Sequence, residues 1–181
     1  MKRIKKAVEE CLKVIYTRRS IRSYREREIS EEDIKKILKA AFQAPSAGNE
    51  QPWHFIVVKS REKLRELSEA HPYGKMLLSA GAAIAVCCDP KLSKYPNPMW
   101  IQDCSAATQN ILLAARALGI GSCWLGVYPV ESRMKSLAKV LGVPDEIVIF
   151  SLVALGYPKS EDEFFEAPDR FKLERIHHEK W

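Results

Sequence analysis

The sequence predicts an α+β fold in which a mixed sheet carries helices on its faces. Three observations lead there. Apolar residues recur at helical spacing in several segments, and between those segments lie short runs rich in β-branched and aromatic residues. Two of the runs, 82–88 and 147–155, are apolar almost without a break, as strands covered on both faces are. The chain has 181 residues, 46% apolar and 29% charged, which fits a single globular domain over 1–181 rather than a disordered chain.

Residues 2–16 set Ile4, Ala7, Val8, Cys11, Leu12 and Ile15 on one stripe, a helix with one buried face. Residues 17–29 are polar and basic, and read as a loop or extended segment. Ser30 opens a second helix, with Asp33 three residues on as an acidic capping-box variant and a stripe of Ile34, Ile37, Leu38, Ala41 and Phe42. Pro45 ends it. Residues 44–49 form a loop, and 53–58 a strand of aromatic and β-branched residues. A short helix covers about 60–70, a further turn 74–80, and the second strand 82–88. Residues 89–100 contain three prolines with Tyr95 and Trp100, a loop or flap. The longest helix, 101–118, carries a stripe of Ile101, Cys104, Thr108, Ile111, Leu112, Ala115 and Leu118 and stops at Gly119. A strand at 122–127, a helix at 131–141 closed by Gly142, and a central strand at 147–155 complete the core. The tail, 159–181, is polar but holds Phe164, Phe165, Phe171 and Trp181, which suits packing on a partner subunit.

Several classes are set aside. No window approaches the ~18 apolar residues of a membrane span, and no apolar stretch follows the basic N-terminus, so no membrane contact is expected and the expected compartment is cytoplasmic. The five cysteines, Cys11, Cys87, Cys88, Cys104 and Cys123, lack metal-ligand spacing and read as buried, reduced thiols. His54, between Trp53 and Phe55, reads as a packed, hydrogen-bonded histidine. His71, His177 and His178 show no metal spacing. The net charge of +6 admits nucleic acid or an anionic cofactor. No helix-turn-helix, zinc or aromatic-platform pattern accompanies the basic cluster, so no nucleic acid is expected.

Four segments carry chemistry. Arg18, Arg19 and Arg22 with Ser20 offer guanidinium forks and a hydroxyl suited to a phosphate monoester, or form a solvated basic face. Residues 44–55 join a helix to a strand through Ser46, Gly48 and Asn49, either a plain turn or a neutral hydrogen-bonding loop. Residues 119–127 end a strand at Gly126, where a planar ring could lie against backbone. No G-x-G-x-x-G joins a strand to a helix, which argues against a dinucleotide fold. Residues 155–158 read L-G-Y-P, with Arg170 following.

In this order and spacing, R-R-S-I-R-S-Y at 18–24, A-P-S-A-G-N-E-Q-P-W-H-F at 44–55, D-C-S-A-A-T-Q-N-I-L-L-A-A at 103–115, G-I-G-S-C-W-L-G at 119–126 and L-G-Y-P at 155–158 resemble the FMN-dependent nitroreductase family, over about residues 14–178. The resemblance implies a dimeric, nitroreductase-like three-layer sandwich on a mainly antiparallel sheet, with FMN at the subunit interface of a homodimer. It implies that Arg18, Arg19, Ser20 and Arg22 hold the FMN phosphate and pyrimidine edge, and that Arg170 also reaches the phosphate. Pro45, Ser46 and Asn49 would reach the flavin of the other subunit. Trp124, Leu125 and Gly126 would lie beside flavin N5, Gly156 near the phosphate end, and Lys75 at the pyrimidine. Asp103, Gln109 and Asn110 fall on the dimer-core helix and read as structural.

The implied activity takes hydride from NADH or NADPH and passes it to a nitroaromatic, quinone or related small-molecule acceptor in ping-pong order. No acid–base residue is needed, and catalysis is positioning over one ring face. Longer members carry an insertion between the third strand and the last helix that this chain lacks. Its short flap, with Tyr95, Met99 and Trp100, would line the acceptor pocket. The competing readings are a non-catalytic FMN-binding protein and a reductive dehalogenase of the same fold.

Overall fold

The computed structural model describes residues 2–165 and 169–181, with side chains from residue 8 onward. The side chains of Ile4 and Ala7, and Pro168, lie outside the described residues. Helix α1 (Lys2–Thr17) and α2 (Glu31–Ala41) precede strand β1 (Trp53–Val58). Helix α3 (Arg61–Ala70) and a 3-10 turn (Gly74–Ser79) lead to β2 (Ala82–Cys88). Helix α4 (Trp100–Ala117), β3 (Gly121–Gly126), α5 (Glu131–Leu141) and β4 (Val148–Gly156) follow. The strands pair in the order β1–β2–β4–β3, each neighbouring pair antiparallel. The parallel component of the mixed sheet is one bridge, Ser20 with Ser122.

The two apolar runs take the two inner positions. Every residue of β2 is buried, and so is β4 beyond Val148. One face packs Ile84, Val86 and Val153 against Ile34 and Ile37 of α2 and Cys104, Ile111 and Ala115 of α4. The other packs Ala83, Ala85 and Leu152 against Leu64 and Leu67 of α3, Leu77 and Leu137. This is the expected three-layer sandwich. Cys88 lies on the first face and Cys87 on the second, as strand alternation requires. The register slips between Val86 and Cys87, so Phe150 has no partner in β2 and turns onto the α4 face.

Local chemistry explains the ends. The Ser30 hydroxyl accepts from Asp33 N–H at 3.0 Å, and Glu31, Glu32 and Asp33 fill the first turn of α2, where the helix dipole favours acids. Gly142 ends α5 at φ 66°, a left-handed position glycine takes freely.

Three sequence expectations are corrected. The α1 stripe is open in a single chain: Val8 is 52%, Leu12 40% and Ile15 52% exposed. The periodicity is helical, yet among the described residues nothing covers this face at Val8, Leu12 and Ile15. Cys11 shares that exposure, whereas the other four thiols are buried. His54 is exposed near the start of edge strand β1, on the face of Ile56 and Val58 but beyond the helices that cover those two.

Candidate functional site

The arginine segment is held by two apolar anchors. Ile21 and Tyr24 are 3% and 2% exposed, and the Tyr24 hydroxyl donates to the Ile21 carbonyl at 2.6 Å. They lie on the cross-strand glycine pair Gly121 and Gly156. A Cβ on Gly121 would stand 2.9 Å from Ile21 Cβ, and one on Gly156 2.5 Å from Tyr24 Cγ. Both positions must be glycine for the segment to lie on the sheet. Gly156 therefore acts here through packing, with its backbone buried under Tyr24.

The anchors alternate with charges. Arg22 is exposed and Arg18 and Arg19 half-buried. Burial pushes the Cys123 thiol up, against the pull of Arg22 and Arg18. Burial lowers the Arg19 guanidinium, and the neighbouring charges of Arg170 and Arg18 add to this. Arg18 and Arg170, from opposite ends of the chain, thus lie near enough for their charges to act on Arg19, and Arg22 lines the cavity on the Cys123 side. Arg19 also serves structure: it donates to Tyr16 O at 2.6 Å, Arg18 O at 2.9 Å and Phe165 O at 2.8 Å, and lies over the Phe165 ring. Ser20 is exposed and bridges to Ser122.

Strand β3 is a sheet edge whose first half is capped. Ile21 N–H donates to Ser122 O at 3.0 Å. Backbone groups two residues apart face the same way along a strand, so the peptide groups of Trp124 and Gly126 look outward beyond this cap. Here a cavity of about 200 Å³ is lined by Arg22, His71, Tyr73, Met76, Cys123, Trp124, Leu125 and Gly126. Leu125 is buried toward the core, and nothing lies within 4 Å of where a Gly126 Cβ would stand. Trp124 packs on Phe150, and Trp100, at the flap's end, packs on Phe150 and Tyr128. Lys75 is exposed, four residues past His71, and makes no ion pair among the described residues.

The Pro45–Asn49 loop is built separately. Gly48, Asn49 and Gln51 all take φ between 52° and 56°, a left-handed geometry that costs energy at the non-glycine positions. Ser46 Oγ accepts from Gln51 N–H at 3.0 Å, and Asn49 Oδ1 from the Gln51 amide at 2.8 Å. Pro45 is exposed. Asp103 of α4 accepts from Ala47 N–H at 2.9 Å, Glu50 accepts from Lys94 N–H of the flap, and Tyr95 covers Gly48. Within one chain no hydrogen bond among the described residues joins this loop to the arginine cluster or to β3. Burial, with Glu50 adding, raises the Asp103 carboxyl, while the Ala47 N–H pulls it down.

Sequence reasoning passed over His71 and Arg133. His71 follows α3 and is 1% exposed, and both it and Arg133 bond the Gly126 carbonyl. Neither has a spacing signal. The only clue was a histidine placed directly after an amphipathic helix.

An open strand edge beside converging guanidiniums, on a three-layer α+β sheet, is chemically suited to a planar anionic ligand. Comparison with known proteins gives the family. The sequence matches the Nitroreductase family over residues 15–80 and 70–157. A protein of Archaeoglobus fulgidus, provisionally named an NADH dehydrogenase/NAD(P)H nitroreductase, is 70% identical over 174 residues, 96% of this chain and 100% of that one. Among solved structures, an FMN-dependent nitroreductase from Clostridium difficile aligns with a TM-score of 0.84 at 32% identity, covering 94% of this chain and 99% of that one. A protein from Desulfovibrio desulfuricans, provisionally described as a nitroreductase and solved in complex with FMN, gives 0.78 at 30% identity, covering 94% and 97%. The chain belongs to the nitroreductase family.

Proposed function

We propose that this protein is an FMN-dependent oxidoreductase that takes electrons from NADH or NADPH and delivers them to a nitroaromatic, quinone or related small acceptor. The observation that carries the reading is the outward edge of β3 at Trp124–Gly126, unpaired with any strand although His71 and Arg133 take the Gly126 carbonyl, with Arg22 lining the cavity beside it and the Arg18 charge also reaching Cys123. It fits FMN: the open space at Gly126 admits a flat ring, and the cluster of Arg18, Arg19 and Arg170 suits a phosphate. Bound FMN would supply the redox chemistry, accepting hydride from the nicotinamide and returning it to the second substrate. The chain's own residues bind and orient. Arg18, Arg22 and Arg170, with the Ser20 hydroxyl and the remaining donors of Arg19, hold the phosphate and the pyrimidine edge. The outward backbone at Trp124–Gly126 fixes the ring, and Lys75 supplies a cation at its pyrimidine end. Gly156 contributes through the placement of Tyr24. A single open ring face serves donor and acceptor in turn, which makes the kinetics ping-pong.

The site is shared in a homodimer. A cavity of about 200 Å³ is below the ~300 Å³ at which complete cofactor sites begin. Val8, Leu12, Ile15 and Tyr16 of α1 and Phe171, Leu173 and Trp181 of the tail are all exposed in one chain. Both surfaces suit a second copy: the start of tail 159–181 packs on its own chain through Phe164 and Phe165, the part from Phe171 onward would lie on the partner, and Pro45, Ser46 and Asn49 would reach the partner's flavin. The flap then closes over the acceptor.

A visible absorption spectrum before and after anaerobic NADH or NADPH tests the activity. Flavin bands that bleach support it. Bands that persist identify a flavin-binding protein without this activity, and no flavin uptake after adding FMN overturns the reading. Light scattering of the flavin-loaded protein tests the shared site, since a monomer that retains FMN excludes it.

A further inference from the structure

His71 is buried where α3 ends, and its two ring nitrogens have different partners. Nδ1 accepts from Tyr73 N–H at 3.2 Å, so Nδ1 carries no proton. The proton is therefore on Nε2, which donates to the Gly126 carbonyl at 3.0 Å. Arg133 of α5 donates to the same carbonyl at 2.9 Å, and its guanidinium lies over the Tyr73 ring at 5.4 Å. Two donors from two elements thus engage the carbonyl of Gly126. The tight turn that brings His71 there is itself fixed: Gly74 N–H donates to His71 O at 2.8 Å, and a Cβ on Gly74 would stand 2.8 Å from Ser68 O.

Gly126 needs such a clamp. Glycine is the residue whose backbone has most freedom to lose, it ends an edge strand, and no side chain holds it. We propose that His71 is a positioning residue for the flavin reaction: its Nε2–H, with Arg133, clamps the Gly126 carbonyl and so fixes the strand end against which the ring lies. The inference rests on the flavin site proposed above.

The turn that carries the clamp depends on the neutral ring: protonation leaves Nε2–H on the Gly126 carbonyl but removes the acceptor that Nδ1 offers Tyr73 N–H. A protonated imidazole would point a second N–H at Tyr73 N–H, and two donors cannot bond each other. Burial lowers the His71 pKa from its usual value, the Arg133 charge adds to this, and the Gly126 carbonyl opposes it. The groups facing the ring are Arg133 from α5, Arg22 and Cys123 across the cavity, and Tyr73 from its own turn. The neutral form therefore persists below the ordinary imidazole range of about 6.5.

The test uses the FMN-loaded wild-type protein, His71→Leu and His71→Gln. Glutamine can place an N–H near the Nε2 position and leucine cannot. With FMN still bound, His71→Leu is expected to lower kcat by about 10- to 100-fold, the scale of losing an orienting partner, with KM for the nicotinamide little changed. His71→Gln is expected to recover most of the loss and to lack the acid limb of the wild-type kcat profile. His71→Leu with kcat within about twofold of wild type overturns the proposal, the tolerance being under 0.5 kcal/mol. So does His71→Gln as impaired as His71→Leu while both retain FMN. Should His71→Leu not fold, the comparison of acid limbs between wild type and His71→Gln decides alone, and identical limbs overturn it. Wild-type protein that takes up no FMN removes the underlying reading, whereas intact FMN turnover with an indifferent His71→Leu removes this inference only.

Discussion

Replacing Gly156 with alanine tests whether the sheet surface sets the position of the arginine segment. The added methyl would stand 2.5 Å from Cγ and 2.7 Å from Cδ1 of Tyr24. Carbon atoms in contact sit about 3.5–4.0 Å apart, so the ring and its backbone must move by about 1 Å. Tyr24 has no easy way out, being 2% exposed and tied through its hydroxyl to the Ile21 carbonyl. Overpacking of this kind costs about 1–3 kcal/mol, and alanine's smaller backbone entropy loss offsets about 0.5–1 of it. A net loss of about 1–2 kcal/mol lowers Tm by about 2–8 °C for a chain of this size. The moved segment carries Arg18, Ser20 and Arg22 with it, so FMN affinity should fall by about tenfold, equivalent to ~1.4 kcal/mol. Calorimetry of the apoprotein reads the first quantity, and flavin fluorescence titration reads the second. Gly126→Ala is the control: its Cβ meets nothing within 4 Å, so apoprotein Tm should hold while FMN affinity falls. Lowered stability with unchanged FMN binding in Gly156→Ala would refute the claim that this contact places the cofactor site.

Arg18→Ala and Arg22→Ala should each lose FMN at a dialysis concentration that leaves the wild type loaded, with far-UV circular dichroism unchanged. Leu12→Glu, on the open α1 face, should turn the light-scattering mass from dimer to monomer and release FMN with it. Of the five cysteines, only exposed Cys11 should react with a thiol reagent in the native state, and all five in denaturant. Burial pushes Cys87 up to about 12, which removes its thiolate at neutral pH. Asp103→Asn keeps the acceptor for Ala47 N–H and replaces the unpartnered buried Oδ2 with a donor. Because the folded-state pKa of Asp103 lies above its unfolded value, its contribution is full at low pH and lost as pH rises through the folded value. The variant should therefore be more stable at pH 7, by about 1 kcal/mol, and lose that advantage near pH ~4. A Tm difference independent of pH would contradict the assignment.

The sheet was legible because its inner strands, β2 and β4, are buried on both sides and are apolar almost throughout, the one buried hydroxyl in β4, Ser151, being paired with Thr108. Helix ends were legible where a cap has its own chemistry, as at Ser30 and Gly142. The Phe150 bulge was not, because a slipped register leaves the strand's composition unchanged. His71 and Arg133 were hidden for a related reason: what they hold is a backbone carbonyl, and a carbonyl has no residue type to read. Asp103 was read as structural, and its bond to Ala47 N–H agrees. That bond, and the one from Lys94 N–H of the flap to Glu50, depend on a left-handed loop that no periodicity reports.

The exposed stripe of α1 shows where a single-chain sequence reading stops. Helical periodicity records that a face suits burial, and it reads the same whether the cover is intramolecular or a second copy. The same ambiguity runs through the site. The segment at 18–24 alternates anchors, Ile21 and Tyr24, with charges, Arg18 and Arg22, so its role as a sheet cap and its fitness for a phosphate are one arrangement. Gly121 and Gly156 belong to it although neither need touch a ligand, since they let the cap lie flat. It follows that changes at the anchors and changes at the charges should separate experimentally: the first should move stability and affinity together, as in Gly156→Ala, and the second affinity alone, as in Arg22→Ala.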